Sequence, residues 1–250
     1  MSRPWVLISG ASSGFGEATA RLLADQGWNL LLTSRREERL SSLAEACQAL
    51  GAEVHVGAWD VRDRAATNEG VARLMEHAGI SASSHGEPLR ALVNNAGLAV
   101  GKGPFDEGLD EDWDRMLDTN VKGLLFLARA CVSFMREGSR MVNTGSIAGK
   151  QVYPGGNVYC ASKHAVDALS QAMRIDLVDR GIGVSQVCPG AAETEFSNVR
   201  FKGDDQAADA VYQGFDPLVA QDIAEANEFI LSRPPPVSIN DLVIIPHAPS

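Results

Sequence analysis

Short apolar segments alternate with longer amphipathic segments along most of this 250-residue chain. Apolar segments of strand length that alternate with helical segments are typical of βαβ units, in which helices connect parallel strands. Such strands are buried on both faces, because helices cover the sheet from each side. We therefore predict an α/β fold with a doubly wound parallel sheet and helices on both faces.

The boundaries of the elements follow from the apolar periodicity and from the glycines and prolines at the breaks. Strands are predicted at residues 5–9, 29–33, 53–59, 90–93, 140–144, 183–187 and 242–245. Helices are predicted at residues 15–26, 37–50, 64–77, 110–137, 159–180 and 222–231. No internal repeat and no shift of composition marks a boundary, so a single domain over residues 1–250 is expected.

The charge balance limits the partners that we expect. With 22 Lys and Arg against 32 Asp and Glu, the net charge of −10 argues against a nucleic-acid or anionic-membrane surface. No apolar stretch approaches the roughly 20 residues of a membrane span, and no signal peptide is visible. The four cysteines stand far apart, which argues against a metal site and favours reduced, buried thiols in a cytoplasmic protein.

A glycine-rich segment, SGASSGFG at residues 9–16, follows the first predicted strand and opens the first predicted helix. Glycines allow a tight turn and the close approach of a pyrophosphate, while the helix N-terminus offers unpaired N–H groups to it. The spacing is GxxxGxG instead of GxGxxG, but its place between strand and helix predicts a dinucleotide site. The candidate cofactor-binding residues of this segment are Gly10, Ser12, Ser13, Gly14, Phe15 and Gly16.

The end of the second predicted strand indicates which dinucleotide is bound. Enzymes that use NAD place an acidic residue there to bind the ribose 2′-hydroxyl, but this chain has Ser34, followed by Arg35 and Arg36. A guanidinium group pairs well with a 2′-phosphate, so we predict NADP. The alternative is that the two arginines are solvated charges at a helix start, a place that disfavours cations.

The segment NNAG, residues 94–97, stands at the end of the fourth predicted strand. Asparagine and glycine at this place are also typical of a simple turn. In an open α/β sheet, however, ligands bind at the carboxyl ends of the strands. We therefore treat Asn94, Ala96 and Gly97 as candidate cofactor-binding residues.

Tyr159 precedes Lys163 by four residues, which places both side chains on one face of the predicted helix. A free phenol has a pKa of about 10, and a neighbouring ammonium group favours the phenolate. We therefore expect Lys163 to lower the pKa of Tyr159, so that Tyr159 can exchange a proton near neutral pH. The same spacing arises by chance on amphipathic helices, so the pair indicates catalysis only together with Ser146 and Asn120.

The chain carries SGASSGFG, Asp60-Val61, NNAG, DTNVKG, TGSIAG, YCASK and PG with a threonine four residues after its glycine, in this order. Over almost its whole length it resembles the classical short-chain dehydrogenase/reductase family, and the resemblance implies a Rossmann-like fold. The segments GFGEATAR, SRREERL, NNAGLA, GGNVY and ETEFSNVRFKGDD make it most similar to the NADP-dependent 3-hydroxy-acid dehydrogenase branch, which includes serine 3-dehydrogenase (L-allo-threonine dehydrogenase). CPG replaces the EPG of that branch, but no departure removes a catalytic residue.

The resemblance implies roles for the residues of these motifs. Tyr159 would be the acid/base, and Lys163 would lower its pKa and bind the nicotinamide ribose. Ser146 would hydrogen-bond the reacting oxygen, and Asn120 would hold a water that links Lys163 to solvent. Further cofactor-binding candidates are Asp60, Val61, Tyr159, Lys163, Pro189, Gly190 and Thr194. The resemblance also implies a cofactor half at about 1–145, a catalytic and substrate half at about 146–250, and a homotetramer.

The implied reaction is hydride transfer between NADP and the C3 hydroxyl or carbonyl of a small 3-hydroxy acid. Such a substrate carries a carboxylate, and residues 195–205, a flexible lid by resemblance, contain only two cations, Arg200 and Lys202. Arg200 is the better candidate for the carboxylate, because a guanidinium can form two parallel hydrogen bonds with it. The alternative for Arg200 is a surface or subunit-contact role. The alternatives for the function are a broad-specificity carbonyl reductase and a non-catalytic NADPH-sensing protein.

Overall fold

The computed structural model describes residues 3–83, 85–206 and 210–247. Seven strands form its sheet, in the order β3-β2-β1-β4-β5-β6-β7, and every neighbouring pair is parallel. The strands are β1 Trp5–Ser9, β2 Asn29–Ser34, β3 Val54–Ala58, β4 Leu89–Asn94, β5 Arg140–Thr144, β6 Gly183–Pro189 and β7 Asp241–Ile244. The predicted α/β class and doubly wound parallel sheet are confirmed.

Helices connect the strands and cover both faces of the sheet. They are α1 Gly14–Asp25, α2 Glu37–Ala49, α3 Arg64–His77, α4 Asp110–Leu117, α5 Leu124–Val132, α6 Asn157–Leu177, α7 Glu195–Arg200 and α8 Ala220–Leu231. Most predicted boundaries agree with these within one or two residues. Among the described residues, no helix is long and apolar enough to cross a membrane.

Two apolar cores lie on opposite faces of the sheet. One face packs strand residues such as Ile8 and Leu32 against α1, α2 and α8, through side chains that include Leu23 and Ile230. The opposite face packs Leu7 against α3 and α5. Successive residues Leu7 and Ile8 thus point to opposite sides and are both fully buried, as expected of a strand covered by helices on each face. The four cysteines are buried and unpaired, as predicted.

The prediction of one long helix at residues 110–137 was wrong. A π-helical segment, Asp118–Gly123, separates α4 from α5, and α5 ends at Val132. The Asn120 side chain bonds both backbone polar groups of Leu98, at 2.8 Å each, which fixes the π segment against a neighbouring loop. The Phe134 carbonyl accepts a bond from the Leu89 amide at 2.9 Å, so the chain beyond α5 is held by the start of β4. Both breaks are tertiary contacts that helical periodicity does not record.

The order of the strands places the site. The chain runs outward from β1 to β3 on one side and then returns to β4 on the other, so the direction of winding reverses between β1 and β4. In open α/β sheets, ligands bind outside the carboxyl ends of the strands at such a reversal. The segments that follow β1, β4, β5 and β6 all meet at that edge.

Candidate active site

The glycine-rich turn between β1 and α1 is built for close backbone approach. Gly10 and Gly14 have positive φ angles of 64° and 54°, which favour glycine. A Cβ at Gly16 would lie 2.4 Å from the Gly10 carbonyl oxygen and 2.8 Å from Nδ2 of Asn95. Side chains at these positions would therefore distort the turn. The turn leaves a shallow backbone cradle at the start of α1, which suits the pyrophosphate of a dinucleotide.

Asn95 holds the glycine-rich turn in place. Its backbone amide donates to the Ser9 hydroxyl, and its Nδ2 donates to the Ser9 carbonyl, each at 3.0 Å. Its Oδ1 accepts a hydrogen bond from the Thr144 hydroxyl at 3.3 Å, which ties the end of β4 to the end of β5. Asn94, in contrast, turns inward and donates to the Leu124 carbonyl at 2.9 Å. The expectation that Asn94 binds the cofactor is therefore not supported by its position, and Asn95 is the asparagine at the site.

A cleft of about 470 Å³ runs along the carboxyl edge of the sheet. It is lined by these predicted residues: Gly10, Ser12, Ser13, Gly14, Phe15, Ser34, Arg35, Arg36, Asp60, Val61, Ala96, Gly97, Ser146, Tyr159, Lys163, Pro189, Gly190, Thr194 and Arg200. Three predicted residues, Gly16, Asn94 and Asn120, lie behind the cleft wall instead of lining it. The cleft thus brings both predicted halves of the site together, with the glycine-rich turn at one end and Tyr159 at the other.

At the β2 end of the cleft, the polar groups are held by short contacts. The Ser34 hydroxyl accepts a hydrogen bond from the Arg36 amide at 3.1 Å. Asp60 forms an ion pair with Arg62 at 2.7 Å. Burial acts to raise the pKa of Asp60, but the hydrogen bonds from Arg62 outweigh it and hold that pKa below the usual value. Asp60 is therefore a carboxylate at neutral pH, and Arg62 balances its charge.

Arg35 and Arg36 are not equivalent, although the sequence treats them as a pair. Arg36 donates from Nε to the Ser12 hydroxyl at 3.0 Å and from Nη2 to the Ser13 hydroxyl at 2.5 Å. It also pairs with Glu195, from Nη1 to Oε2, at 2.9 Å. Arg35 lines the same cleft with its side chain exposed. Arg36 thus bridges three segments of the protein. Arg35 lines the cleft and forms fewer hydrogen bonds and ion pairs among the described residues.

At the other end of the cleft, Ser146, Tyr159 and Lys163 are all buried, with at most 8% of each residue exposed. Tyr159 and Lys163 lie on α6, and Ser146 lies two residues beyond the end of β5. Ser146 accepts a hydrogen bond from the Ala148 amide at 3.1 Å, which orients its hydroxyl at the start of a short 3₁₀ turn. The three predicted side chains therefore share one desolvated corner of the cleft.

In the protein alone, the pKa of Tyr159 is not lowered as expected from the sequence, and the tuning of Tyr159 by Lys163 with the cofactor bound stays a prediction. Burial raises the pKa of Tyr159 above its ordinary value, and contact with the Ser146 hydroxyl and the charge of Arg200 oppose that rise. Lys163 donates from Nζ to the Thr144 carbonyl at 2.9 Å. Burial lowers the pKa of Lys163 to about 8. Shared position on a helix face predicted a strong coupling, but desolvation governs both groups.

Asn120 does not line the cleft, but its side chain lies close to Gly97 and Lys163. Its amide is occupied by Leu98 and by the Ser162 hydroxyl, which accepts from Nδ2 at 3.0 Å. A Cβ on Gly97 would lie 3.2 Å from Oδ1 of Asn120 and 3.5 Å from Nζ of Lys163, so both side chains converge on Gly97. Both Nδ2 hydrogens of Asn120 are used in these bonds, so a water that links Asn120 to Lys163 would have to donate to an oxygen of Asn120.

The lid contributes one cation to the corner occupied by Tyr159. Thr194 caps α7 by accepting from the Phe196 amide at 3.2 Å, and α7 ends at Arg200. The guanidinium carbon of Arg200 lies 5.2 Å from the ring centre of Tyr153 and 5.6 Å from that of Tyr159. Its Nε and Nη2 atoms are buried and have no hydrogen-bond partner among the described residues. An unpaired buried guanidinium donor is costly, so this arrangement suits an anionic group in the cleft.

Comparison with known proteins agrees with this geometry. The sequence profile described as short chain dehydrogenase matches residues 4–205. The chain is a short chain dehydrogenase. Sulfoacetaldehyde reductase 2 of Chromohalobacter salexigens is 43% identical to it over 244 residues, covering 96% of this chain and 93% of that protein.

Further relatives of this short chain dehydrogenase carry names of the predicted branch. NADP-dependent 3-hydroxy acid dehydrogenase YdfG of Escherichia coli K12 is 41% identical over 245 residues, which cover 96% of this chain and 94% of the relative. A closed form of serine dehydrogenase complexed with NADP⁺ superposes with a TM-score of 0.86 and 40% identity, over 97% of this chain and 94% of the other. The family inferred from the motifs is therefore confirmed, and proteins of the predicted branch are among its relatives.

Sequence reasoning on this short chain dehydrogenase missed three residues of the site. Tyr153 lies beneath Arg200, and Asn95 holds the glycine-rich turn. Glu195 forms ion pairs with Arg36 and Arg39, which follow β2. Tyr153 stands between β5 and α6, at the carboxyl edge of the sheet, and that location was a usable signal. Glu195 offered none, because its partners are about 160 positions away in the sequence.

Proposed function

We propose that this short chain dehydrogenase is an NADP-dependent oxidoreductase that acts on the C3 hydroxyl or carbonyl of a small 3-hydroxy acid. Substrates of the serine, allo-threonine, 3-hydroxyisobutyrate and 3-hydroxypropionate type fit this description. The observation that carries the proposal is the guanidinium of half-buried Arg200 beside Tyr159, whose Nε and Nη2 atoms are buried and unpaired among the described residues. A simple ketone, whose only acceptor is the reacting oxygen, would leave those donors unsatisfied, whereas a carboxylate would accept from them.

The cofactor part of the proposal rests on the β2 end of the cleft. Ser34 stands where an acidic residue would repel a 2′-phosphate, and Arg35 lines the adjacent wall. The glycine cradle at Gly10, Gly14 and Gly16 suits the pyrophosphate, because side chains there would fill or distort it. The relatives named for NADP support the same choice.

The bound cofactor supplies the hydride for reduction or accepts it in oxidation. The protein supplies the proton chemistry and the orientation. In this proposal Ser146 hydrogen-bonds the reacting oxygen, and the phenol oxygen of Tyr159 donates a proton to that oxygen in reduction and accepts it in oxidation. Because burial raises the pKa of Tyr159, the phenol is protonated at neutral pH in the protein alone, which suits the reducing direction. The ammonium of Lys163 offers positive charge to the same buried corner.

A sulfonate is the second candidate for the anionic group. Two relatives, at 43% and 44% identity, are named sulfoacetaldehyde reductases. A sulfonate presents the same negatively charged oxygens to Arg200 as a carboxylate does. The two substrate classes differ in shape, with three oxygens arranged around sulfur against two around carbon.

A substrate panel tests the proposal. Purified protein is assayed with NADPH and with NADH against malonic semialdehyde, sulfoacetaldehyde and a neutral ketone of similar size, and in reverse with L-serine and 3-hydroxyisobutyrate. The proposal expects the highest kcat/KM with NADPH and malonic semialdehyde. Highest turnover with sulfoacetaldehyde would select the second candidate, and with the neutral ketone a general carbonyl reductase. No turnover with any carbonyl would favour a non-catalytic NADPH-sensing protein. The implied homotetramer stays a prediction, which light scattering after size-exclusion chromatography tests.

A further inference from the structure

The first residue of the lid is fastened to the cofactor half of the protein. Glu195 begins α7 and carries two ion pairs, from Oε2 to Arg36 at 2.9 Å and from Oε1 to Arg39 at 2.6 Å. Both arginines belong to the segment that follows β2, where Arg39 lies on α2. The Glu195 carboxylate, which lines the cleft, therefore ties the start of α7 to the segment that follows β2.

Arg36 is held in a fixed position from below. Its Nε and Nη2 atoms donate to the hydroxyls of Ser12 and Ser13, which belong to the glycine-rich turn. Nη1 is thereby directed away from the turn and toward Glu195. The same segments also lie side by side at Gly14, where an added Cβ would come within 3.5 Å of the Cβ of Thr194. The glycine-rich turn, the end of β2 and the start of the lid are thus linked through one guanidinium.

We propose that Arg36, Arg39 and Glu195 form a latch that fastens the start of the lid over the dinucleotide and slows its exchange. The proposal rests on the cofactor of the proposed function and assigns the two neighbouring arginines different tasks. Arg35, with Ser34, is left to the 2′-phosphate, whereas Arg36 is a positioning residue that joins the turn to the lid. Closing the latch narrows the mouth of the cleft at the place where Glu195 crosses it.

The exposure of the three side chains sets the size of the effect. Between 42% and 51% of the Arg36, Arg39 and Glu195 side chains remains accessible to solvent. Exposed ion pairs are individually weak and are screened by salt. A latch of two such pairs is therefore expected to slow dissociation by roughly 5- to 10-fold. That strength lets the lid open in every catalytic cycle instead of locking it.

The first test measures NADPH dissociation directly. NADPH fluorescence is followed in stopped flow while excess NADP⁺ displaces it, for wild type, Glu195→Gln and the control Glu193→Gln. Glu193 is an exposed acid two positions before Glu195, so its substitution changes the charge equally outside the latch. We expect Glu195→Gln to release NADPH roughly 5- to 10-fold faster at low salt, with that difference shrinking as salt rises. Equal rates in wild type and Glu195→Gln, or equal acceleration by Glu193→Gln, would overturn the latch.

A double-variant cycle separates the latch from a general charge effect. Arg39→Gln removes one of the two pairs and should accelerate release less than Glu195→Gln. The double variant Arg39→Gln/Glu195→Gln should release NADPH no faster than Glu195→Gln alone, since both pairs are already lost. Effects that multiply in the double variant would show that Arg39 and Glu195 act independently and would contradict the proposal.

The lid is also probed without nucleotide, so that the latch and the cofactor assignment can fail separately. Trypsin cleaves after Arg200 and Lys202, and mass spectrometry follows the rate at these two sites. Glu195→Gln should be cut several-fold faster there than wild type or Glu193→Gln, while the three proteins keep the same Tm. An unchanged cleavage rate overturns the latch even if NADPH binds. A wild type that binds NADH but not NADPH contradicts the proposed cofactor and leaves the proteolysis result to decide the latch.

Discussion

The guanidinium carbon of Arg200 lies 5.6 Å from the ring centre of Tyr159, so the lid places its charge directly over the proposed acid/base. We expect Arg200→Met to lower kcat/KM for L-serine and 3-hydroxyisobutyrate by ~10²-fold, the loss typical of a charge-assisted hydrogen bond. A neutral alcohol of similar size should be oxidised nearly as before. The matched control is Lys202→Met, because Lys202 pairs with Asp112 on α4 at 2.7 Å. Equal losses for acid and alcohol would place the substrate anion elsewhere.

Replacing the phenol tests the proton step alone. Tyr159→Phe keeps the buried ring, which packs edge-on against Phe196, and removes only the group that exchanges the proton. Turnover should fall to background, whereas NADPH should bind with an affinity close to that of wild type. Steady-state kinetics and fluorescence titration measure the two quantities separately. A variant that retains near wild-type turnover would remove Tyr159 from its proposed role.

The buried ammonium of Lys163 predicts a pH dependence of stability. Burial lowers its pKa from 10.5 to about 8, so between these values the unfolded chain binds more protons than the folded protein. The contribution of Lys163 to the free energy of unfolding therefore rises with pH across this window, by up to about 1.4 kcal/mol per pH unit. Urea unfolding of the wild type and Lys163→Met at several pH values isolates this effect as a difference. A difference that stays flat, or that falls as pH rises, would contradict a lowered pKa.

The glycine-rich turn predicts a clash at one position. Gly16→Ala places a Cβ 2.4 Å from the Gly10 carbonyl oxygen, which is backbone and cannot move alone. We expect a loss of about 1–3 kcal/mol in the free energy of unfolding and much weaker NADPH binding, because the turn must shift. Gly103→Ala is the control, since no heavy atom of the described residues, apart from its chain neighbours, lies within 4 Å of the new methyl group. Wild-type affinity in Gly16→Ala would show that the turn is not the cofactor cradle.

The cofactor preference is tested at the end of β2. Ser34→Asp introduces a carboxylate where the proposed 2′-phosphate lies, and the repulsion should reverse the preference from NADP to NAD. The matched control is Ser41→Asp on α2, an exposed serine whose hydroxyl donates to the Glu37 carbonyl. The ratio of kcat/KM for the two cofactors is the measurement. Equal use of NADP and NAD by the wild type would refute the proposed role of Ser34 and Arg35.

The central strands were predictable from sequence because they are buried on both faces and are largely apolar, whereas the edge strands β3 and β7 are partly exposed. Leu30, Leu31 and Leu32 are all fully buried, and no polar residue interrupts the run. The motifs located most of the cleft for a similar reason, since each lies at a strand end and the ends of parallel strands meet at one edge. The break near Asn120 escaped notice because it depends on Leu98, a tertiary partner.

Charge and protonation were less predictable than position. The prediction that Lys163 lowers the pKa of Tyr159 used only their separation along a helix. The pKa of each group also depends on desolvation, which is set by all the residues packed around it. Arg36 illustrates the same limit. Its neighbours in sequence suggest a phosphate ligand, but its hydrogen bonds go to Ser12, Ser13 and Glu195, which are 23 to 159 positions away.

Asn95 has a consequence for altering this protein. One side chain links the backbone at Ser9, where the glycine-rich turn begins, to Thr144, two residues before Ser146. The Thr144 carbonyl in turn receives the ammonium of Lys163. We therefore expect a redesign of the turn for a different nucleotide to shift the strand end that holds Lys163. The side-chain amide of Asn95 thus connects the turn proposed to hold the nucleotide with the strand end that holds Lys163.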